Sequence, residues 1–187
     1  MLNRRTFLQT ASMLLTLPAI PSLFAGLVKP EPCLMRTVTV QDCADSEQFH
    51  AVFSAENDRI GPDIGTYLQA IGDCSDRVSA LFGLTRSSDF SILSQLAWEK
   101  GYRLVYTGHH QYLPSGLQHN LQADKYVLDF LGPILTGMKA PWARSIAENA
   151  GLITSSSSLE SELEFFLPVQ APTGSSGYLV SWAFVKG

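Results

Sequence analysis

The chain has 187 residues, of which 45% are apolar and only 16% charged, a balance that supports a packed core and excludes an intrinsically disordered chain. Its formal charge of -4 leaves no basic face for a nucleic-acid partner. Ten Phe, six Tyr and three Trp serve core packing first, with some left over for a partner surface.

At the N-terminus, Asn3-Arg4-Arg5-Thr6-Phe7-Leu8-Gln9 precedes an uncharged apolar run from Ala11 to Phe24. An arginine pair followed one residue later by Phe-Leu resembles a twin-arginine export signal, with Arg4, Arg5, Phe7 and Leu8 filling the pattern. The resemblance covers residues 1–25 and implies a periplasmic protein exported in folded form; it speaks to targeting and not to activity. The apolar run is interrupted by Pro18 and Pro21 and is shorter than the roughly 20 residues of a spanning helix. Cleavage after Ala25 leaves a chain starting at Gly26. Leu23 is larger than the small residue usual three positions before a cut, so an uncleaved signal tethering the chain to the membrane is the alternative, and no other membrane contact is expected.

Residues 26–33 carry Pro30 and Pro32 and read as a linker, leaving 34–187 as one domain by length. The three cysteines are Cys33, Cys43 and Cys74. In an oxidising compartment the expected arithmetic is one disulfide and one spare thiol. The matching contexts Asp42-Cys43-Ala44-Asp45 and Asp73-Cys74-Ser75-Asp76 favour a Cys43–Cys74 pair.

Leu34 to Val40 alternates as a half-buried strand. Ser46 to Glu56 fits a helix through Phe49, Val52 and Phe53 capped by Asp45, or a strand through Phe49, Ala51 and Phe53; the helix is preferred. Asn57 to Pro62 reads as a turn. Asp63 then caps a helix with Ile64, Tyr67, Leu68 and Ile71 on one face and Gly72 as its stop. Val78 to Thr107 reads as strand, helix, strand: Val78 to Leu84, a turn at Thr85-Arg86-Ser87-Ser88, a helix with Phe90, Leu93, Leu96 and Ala97 ending at Gly101, and Tyr102 to Thr107. Gln111 to Gln122, with Pro114 and Gly116 and no clear period, reads as an exposed loop.

Asp124 caps a further helix lined by Val127, Leu128, Leu131 and Leu135, with Pro133 predicting a kink or break. Pro141 opens a short helix placing Trp142, Ile146 and Ala150 together, closed by Gly151. Thr154 to Ser158 reads as a polar linker. Glu162 to Val169 and Tyr178 to Val185 read as strands of an antiparallel hairpin. Both faces of the last strand are apolar, so it belongs in the sheet centre. The resulting fold class is mixed α/β (α+β): one mixed sheet with a central strand-helix-strand unit and a C-terminal antiparallel hairpin, helices packed on the sheet.

If Val78 to Thr107 is a parallel crossover, its two strands end at one sheet edge, where ligands of open α/β sheets bind. That edge holds Arg86, Ser87, Ser88, His109 and His110, a candidate site for a small anion at a helix N-terminus. Plain capping by Ser87 or Ser88 explains the first loop equally well. No P-loop, dinucleotide fingerprint or nucleophile elbow occurs, and no cofactor is implied. Adjacent His109 and His110 point to opposite sides of a strand, which disfavours a shared metal even with His119 nearby. Glu160, Glu162 and Glu164 read as a solvated face; Trp98 and Trp142 read as core or partner contacts. The leading expectation is a non-catalytic exported accessory or binding module, its partner an envelope protein or a small anion. The alternatives are a small hydrolase using Arg86, Ser88, His109 and His110, and a His-based metal carrier.

Overall fold

A computed structural model of the chain describes residues 34–41, 43–53, 57–60, 65, 78–137, 141–174 and 177–187, with the side chains of Leu34 and 57–60 not described. The export segment, the linker, the helix expected after Asp63 apart from Gly65, and both Cys33 and Cys74 lie outside these residues. The described residues fall in one compact unit, Cys33–Gly187.

Seven strands form one mixed sheet. In chain order the elements are β1 (Leu34–Val40), α1 (Ala44–His50), β2 (Asn57–Ile60), β3 (Val78–Thr85), α2 (Ser87–Glu99), β4 (Tyr102–Leu113), β5 (Gly116–Ala123), α3 (Lys125–Thr136), α4 (Trp142–Glu148), α5 (Ala150–Thr154), β6 (Ser161–Leu167) and β7 (Tyr178–Lys186). The spatial order is β2-β1-β3-β7-β4-β5-β6. β1 runs parallel to β2 and β3, whereas β7 is antiparallel to both β3 and β4 and the remainder is an antiparallel meander. The α/β class with helices packed on one mixed sheet therefore holds.

Alternation along the strands sorts side chains onto two faces. One face carries Phe82, Leu84, Tyr106, Leu117, Leu121 and Ala183, packed against α1, α3, α4 and α5. The other carries Val38, Leu81, Val180, Trp182 and Phe184, covered by Leu93 and Ala97 of α2. Six consecutive residues of β7, Leu179 to Phe184, are buried, as expected of a strand with an apolar layer on each side. Trp182 lies over Gly83 of β3 and donates its indole N–H to Thr85 Oγ1 at 3.0 Å. A Cβ on Gly83 would sit 2.6 Å from the Val38 carbonyl oxygen and collide with the Trp182 ring.

Several expectations change at tertiary level. β6 and β7 form no hairpin: β6 pairs with β5 at the sheet edge and β7 inserts between β3 and β4. Insertion satisfies β7 backbone groups on both sides and covers both apolar faces, which a two-stranded hairpin cannot do. Gln111 to Gln122 is no loop, because Pro114 and Ser115 turn a tight β4–β5 hairpin in which His110 pairs with His119. Residues 57–60 are an edge strand, not a turn.

Three further differences concern helices. Asp45 does not cap α1; the cap position is Cys43, and Asp45 lies in the first turn with its side chain buried. Pro133 does not break α3, which runs unbroken to Thr136. Pro133 is exposed, so its missing N–H falls on the solvent side of the helix. α4 ends at Asn149 and α5 continues through Gly151. Cys43 is buried, and its expected partner Cys74 lies outside the described residues.

Gly83→Ala is expected to lower stability by about 1–3 kcal/mol, since backbone and an indole ring both oppose the added methyl. Urea denaturation measures this, and an unchanged midpoint would contradict the Trp182–Gly83 packing.

Candidate functional site

The phase of β4 is set by an irregularity between Leu104 and Tyr106 in its pairing with β7. Tyr102 and Leu104 pack in the cluster beneath α2. The extra residue, Val105, shifts the alternation, so that Tyr106 joins the opposite cluster. Bulges re-aim side chains in this way. Gly108, His110 and Tyr112 follow Tyr106 on the four-helix face by the period of two.

On that face a buried polar chain crosses three strands. Tyr106 Oη lies 2.9 Å from Ser181 Oγ of β7, Ser181 Oγ 2.7 Å from His110 Nε2, and His110 Nδ1 2.6 Å from His119 Nδ1 of β5. In one consistent arrangement Tyr106 donates to Ser181, Ser181 to His110 Nε2, and the His110 Nδ1–H to His119 Nδ1, which places the His119 proton on Nε2. His119 Nε2 is buried without a partner. The chain fits because Gly108 has no side chain: a Cβ there would fall 2.6 Å from both Ser181 Oγ and Tyr106 Oη. Trp142 of α4 stacks on His110 with ring centroids 4.1 Å apart, and Phe165 of β6 stacks on His119 at 4.8 Å. Ser181 and His119 have no exposed surface and His110 has 1%, so the chain is sealed.

Burial pushes the His119 imidazole down to about 4 and holds His110 well below its ordinary value, with repulsion from His119 and His109 adding to the effect. Burial likewise raises the Tyr106 phenol. These groups stay neutral at physiological pH, and their hydrogen bonds fix the sheet-to-helix contact without charge.

Next to this chain lies a cavity of about 380 Å³ lined by Asp45, Tyr112, Leu135, Trp142, Leu167 and Val169, among others. Trp142 joins the two regions. Its ring covers His110, while its Nε1–H donates to Tyr112 Oη at 3.1 Å. Tyr112 Oη donates to Asp45 Oδ1, also at 3.1 Å. Asp45 is 1% exposed, and its Oδ2 is buried with no hydrogen-bond partner. Burial raises the Asp45 carboxyl, opposed by the hydrogen bonds from Tyr112 and Trp142. Within the described residues the ion pairs are Lys125–Asp129 and Arg144–Glu148, both on the helix surface.

The residues expected to converge do not form one site. β7 lies between β3 and β4, which separates the loop after β3 from β4 by two strand spacings, about 10 Å. Arg86, Ser87 and Ser88 are exposed at the start of α2. No side chain caps that helix, and Ser88 Oγ donates to the neighbouring Asp89 carboxylate at 3.3 Å. His109 and His110 lie inside β4 and not in a loop after it. His110 is the buried network member, whereas His109 points to the other face, where its Nδ1 lies 2.7 Å from Tyr178 Oη. There it joins Gln111, Gln118, Asn120, Gln122 and Tyr178 around an open groove of about 260 Å³. Glu162 and Glu164 share the solvated side of β6 and accept bonds from Asn120 and Gln118. No group of three or more metal-ligating side chains occurs among the described residues.

Comparison with protein-family models, with curated proteins and with solved structures yields no match for this chain. The reading of the site therefore rests on its own chemistry.

Residues missed from sequence are Asp45, Tyr106, Tyr112 and Ser181. A signal existed for part of the set: in Leu117-Gln118-His119-Asn120-Leu121-Gln122-Ala123 the period of two emerges once His119 is counted with the buried positions.

Both histidines have lower pKa values folded than unfolded. As pH falls the unfolded chain binds protons first, so the stability from keeping them neutral is complete above about 6.5 and is lost as pH drops towards 4. For His119 alone this amounts to about 3 kcal/mol. His119→Leu is expected to start about 1–3 kcal/mol less stable at neutral pH, because His110 Nδ1 loses its partner, and to show a shallower fall between pH 6.5 and 4. Asp45, whose shift has the opposite sign, is common to both chains and cancels in the comparison. Urea denaturation across this pH range gives both slopes; equal slopes would contradict a neutral buried His119.

Proposed function

We propose that this chain is an exported, non-catalytic ligand-binding module, and that its binding site is the cavity between α1, α4 and the segment following β6. The observation that carries this reading is a largely apolar hollow with a few polar residues in its lining, Asp45, Tyr112 and Trp142, the first of which has an oxygen without a partner among the described residues. Binding cavities in proteins commonly measure ~300–1,000 Å³ and combine an apolar lining with a few fixed polar groups; a volume of about 380 Å³ suits a small organic molecule.

Ser181 and His110 lie within hydrogen-bond reach of each other, which invites comparison with a nucleophile and its base. Acyl transfer also needs an approach for the carbonyl and donors for the oxyanion. Ser181 has no exposed surface and sits beneath Trp142 and His110. The serine-histidine contact is better explained as part of the buried chain, which favours binding over hydrolysis.

Export rests on Arg4, Arg5, Phe7 and Leu8 and places the module in the periplasm, or on the membrane surface if the signal is retained. In the full chain, Arg4→Lys with Arg5→Lys is expected to leave the protein in the cytoplasm, measured by fractionation; undiminished export would remove this part of the proposal. For the cavity, titration with 2-phenylethanol followed by nitrogen-15 NMR is expected to move the Trp142 indole N–H and leave that of exposed Trp98 unchanged. A Trp142 signal that stays in place at millimolar probe would reject the cavity as the binding site.

A further inference from the structure

The polar end of the same cavity restricts what it takes. Asp45 supplies a carboxylate, which offers only acceptors when ionised. One oxygen is used by Tyr112 Oη and the other is buried and unpartnered. Leaving a carboxylate oxygen desolvated and unbonded is costly, and no described cation is paired with it. The group that relieves both deficits at once is a positively charged donor. A neutral alcohol or amide supplies a hydrogen bond but leaves the charge uncompensated in a poorly solvated place.

The flanking groups agree with that choice. Tyr112 and Trp142 border the cavity beside Asp45, and aromatic rings are favourable neighbours for an ammonium group. Leu135, Leu167 and Val169 line the remainder, where a hydrocarbon or aromatic body loses water favourably. An anion meets the opposite situation, since the Asp45 carboxylate repels it.

We propose that the cavity recognises a small organic amine, its ammonium group held by Asp45 against Tyr112 and Trp142 and its apolar body lying along Leu135, Leu167 and Val169. This rests on the reading of the cavity as the binding site and narrows it to one ligand class. It also differs from the small anion expected near Arg86.

The test compares three probes of similar size on the full chain by calorimetry: 2-phenylethylamine, 2-phenylethanol and 3-phenylpropionate. The amine is expected to bind about tenfold to hundredfold more tightly than the alcohol, the range for a charge-assisted hydrogen bond over a neutral one, with the propionate weakest. Asp45→Asn should erase the preference for the amine while retaining the alcohol. An alcohol that matches or outbinds the amine overturns the inference and leaves the cavity as an apolar site. A preference that survives Asp45→Asn overturns it as well. If none of the three binds, the cavity reading falls with it. The order of affinities in the unaltered chain decides the matter even if Asp45→Asn does not fold.

Discussion

The structure depends on the insertion of β7 between β3 and β4. The parallel group β2-β1-β3 and the antiparallel group β4-β5-β6 have no ladder to each other except through this last strand. β7 therefore carries two sets of backbone hydrogen bonds and two apolar faces, with Trp182 and Phe184 under α2 and Leu179 and Ala183 under the opposite helix layer. Its contacts are also distant in sequence, Ser181 meeting Leu84 on one side and Gly108 on the other. Contacts of such separation form only after large loops close, and their entropic cost is recovered only when both flanking strands are present. The sheet is thus completed by its C-terminal residues.

The buried chain Tyr106–Ser181–His110–His119 is a consequence of that insertion. Ser181 is the one polar side chain in the buried stretch of β7, and it meets hydroxyl and imidazole groups from β4 that would otherwise be orphaned. Gly108 clears the space, and Trp142 and Phe165 close it from above. A buried polar chain specifies one register of β4 against β7 more sharply than an apolar contact does, since a slip of one residue would break the Ser181 contacts to Tyr106 and His110. The same Trp142 that seals the chain also borders the cavity, so the rigid part of the fold positions the wall of the binding site.

Much of the architecture was legible. The strands Leu34 to Val40 and Val78 to Leu84, the helix after the Thr85 to Ser88 turn and the Asp124 cap, whose Oδ1 accepts from the Val127 N–H at 3.0 Å, follow from period and local chemistry. The central position of β7 followed from its two apolar faces. The site was much less legible. His109 and His110 were correctly placed on opposite faces by strand period, but Val105 decides which face receives which, and a bulge has no signature in this stretch. Asp45 looked like a helix cap because acids near helix starts usually are; its burial depends on Tyr112, 67 residues away.

What the sequence determined by itself was local: the α/β class, most element types, the apolar stripes and a signal-like first segment, all governed by interactions between residues close along the chain. What the tertiary structure decided was the strand order, the separation of Arg86 from the β4 histidines, the depth of His110 and His119, and the meeting of Asp45, Tyr112 and Trp142 at one cavity. Those features depend on hydrogen-bond ladders and packing between segments tens of residues apart, where no periodicity links one partner to the other.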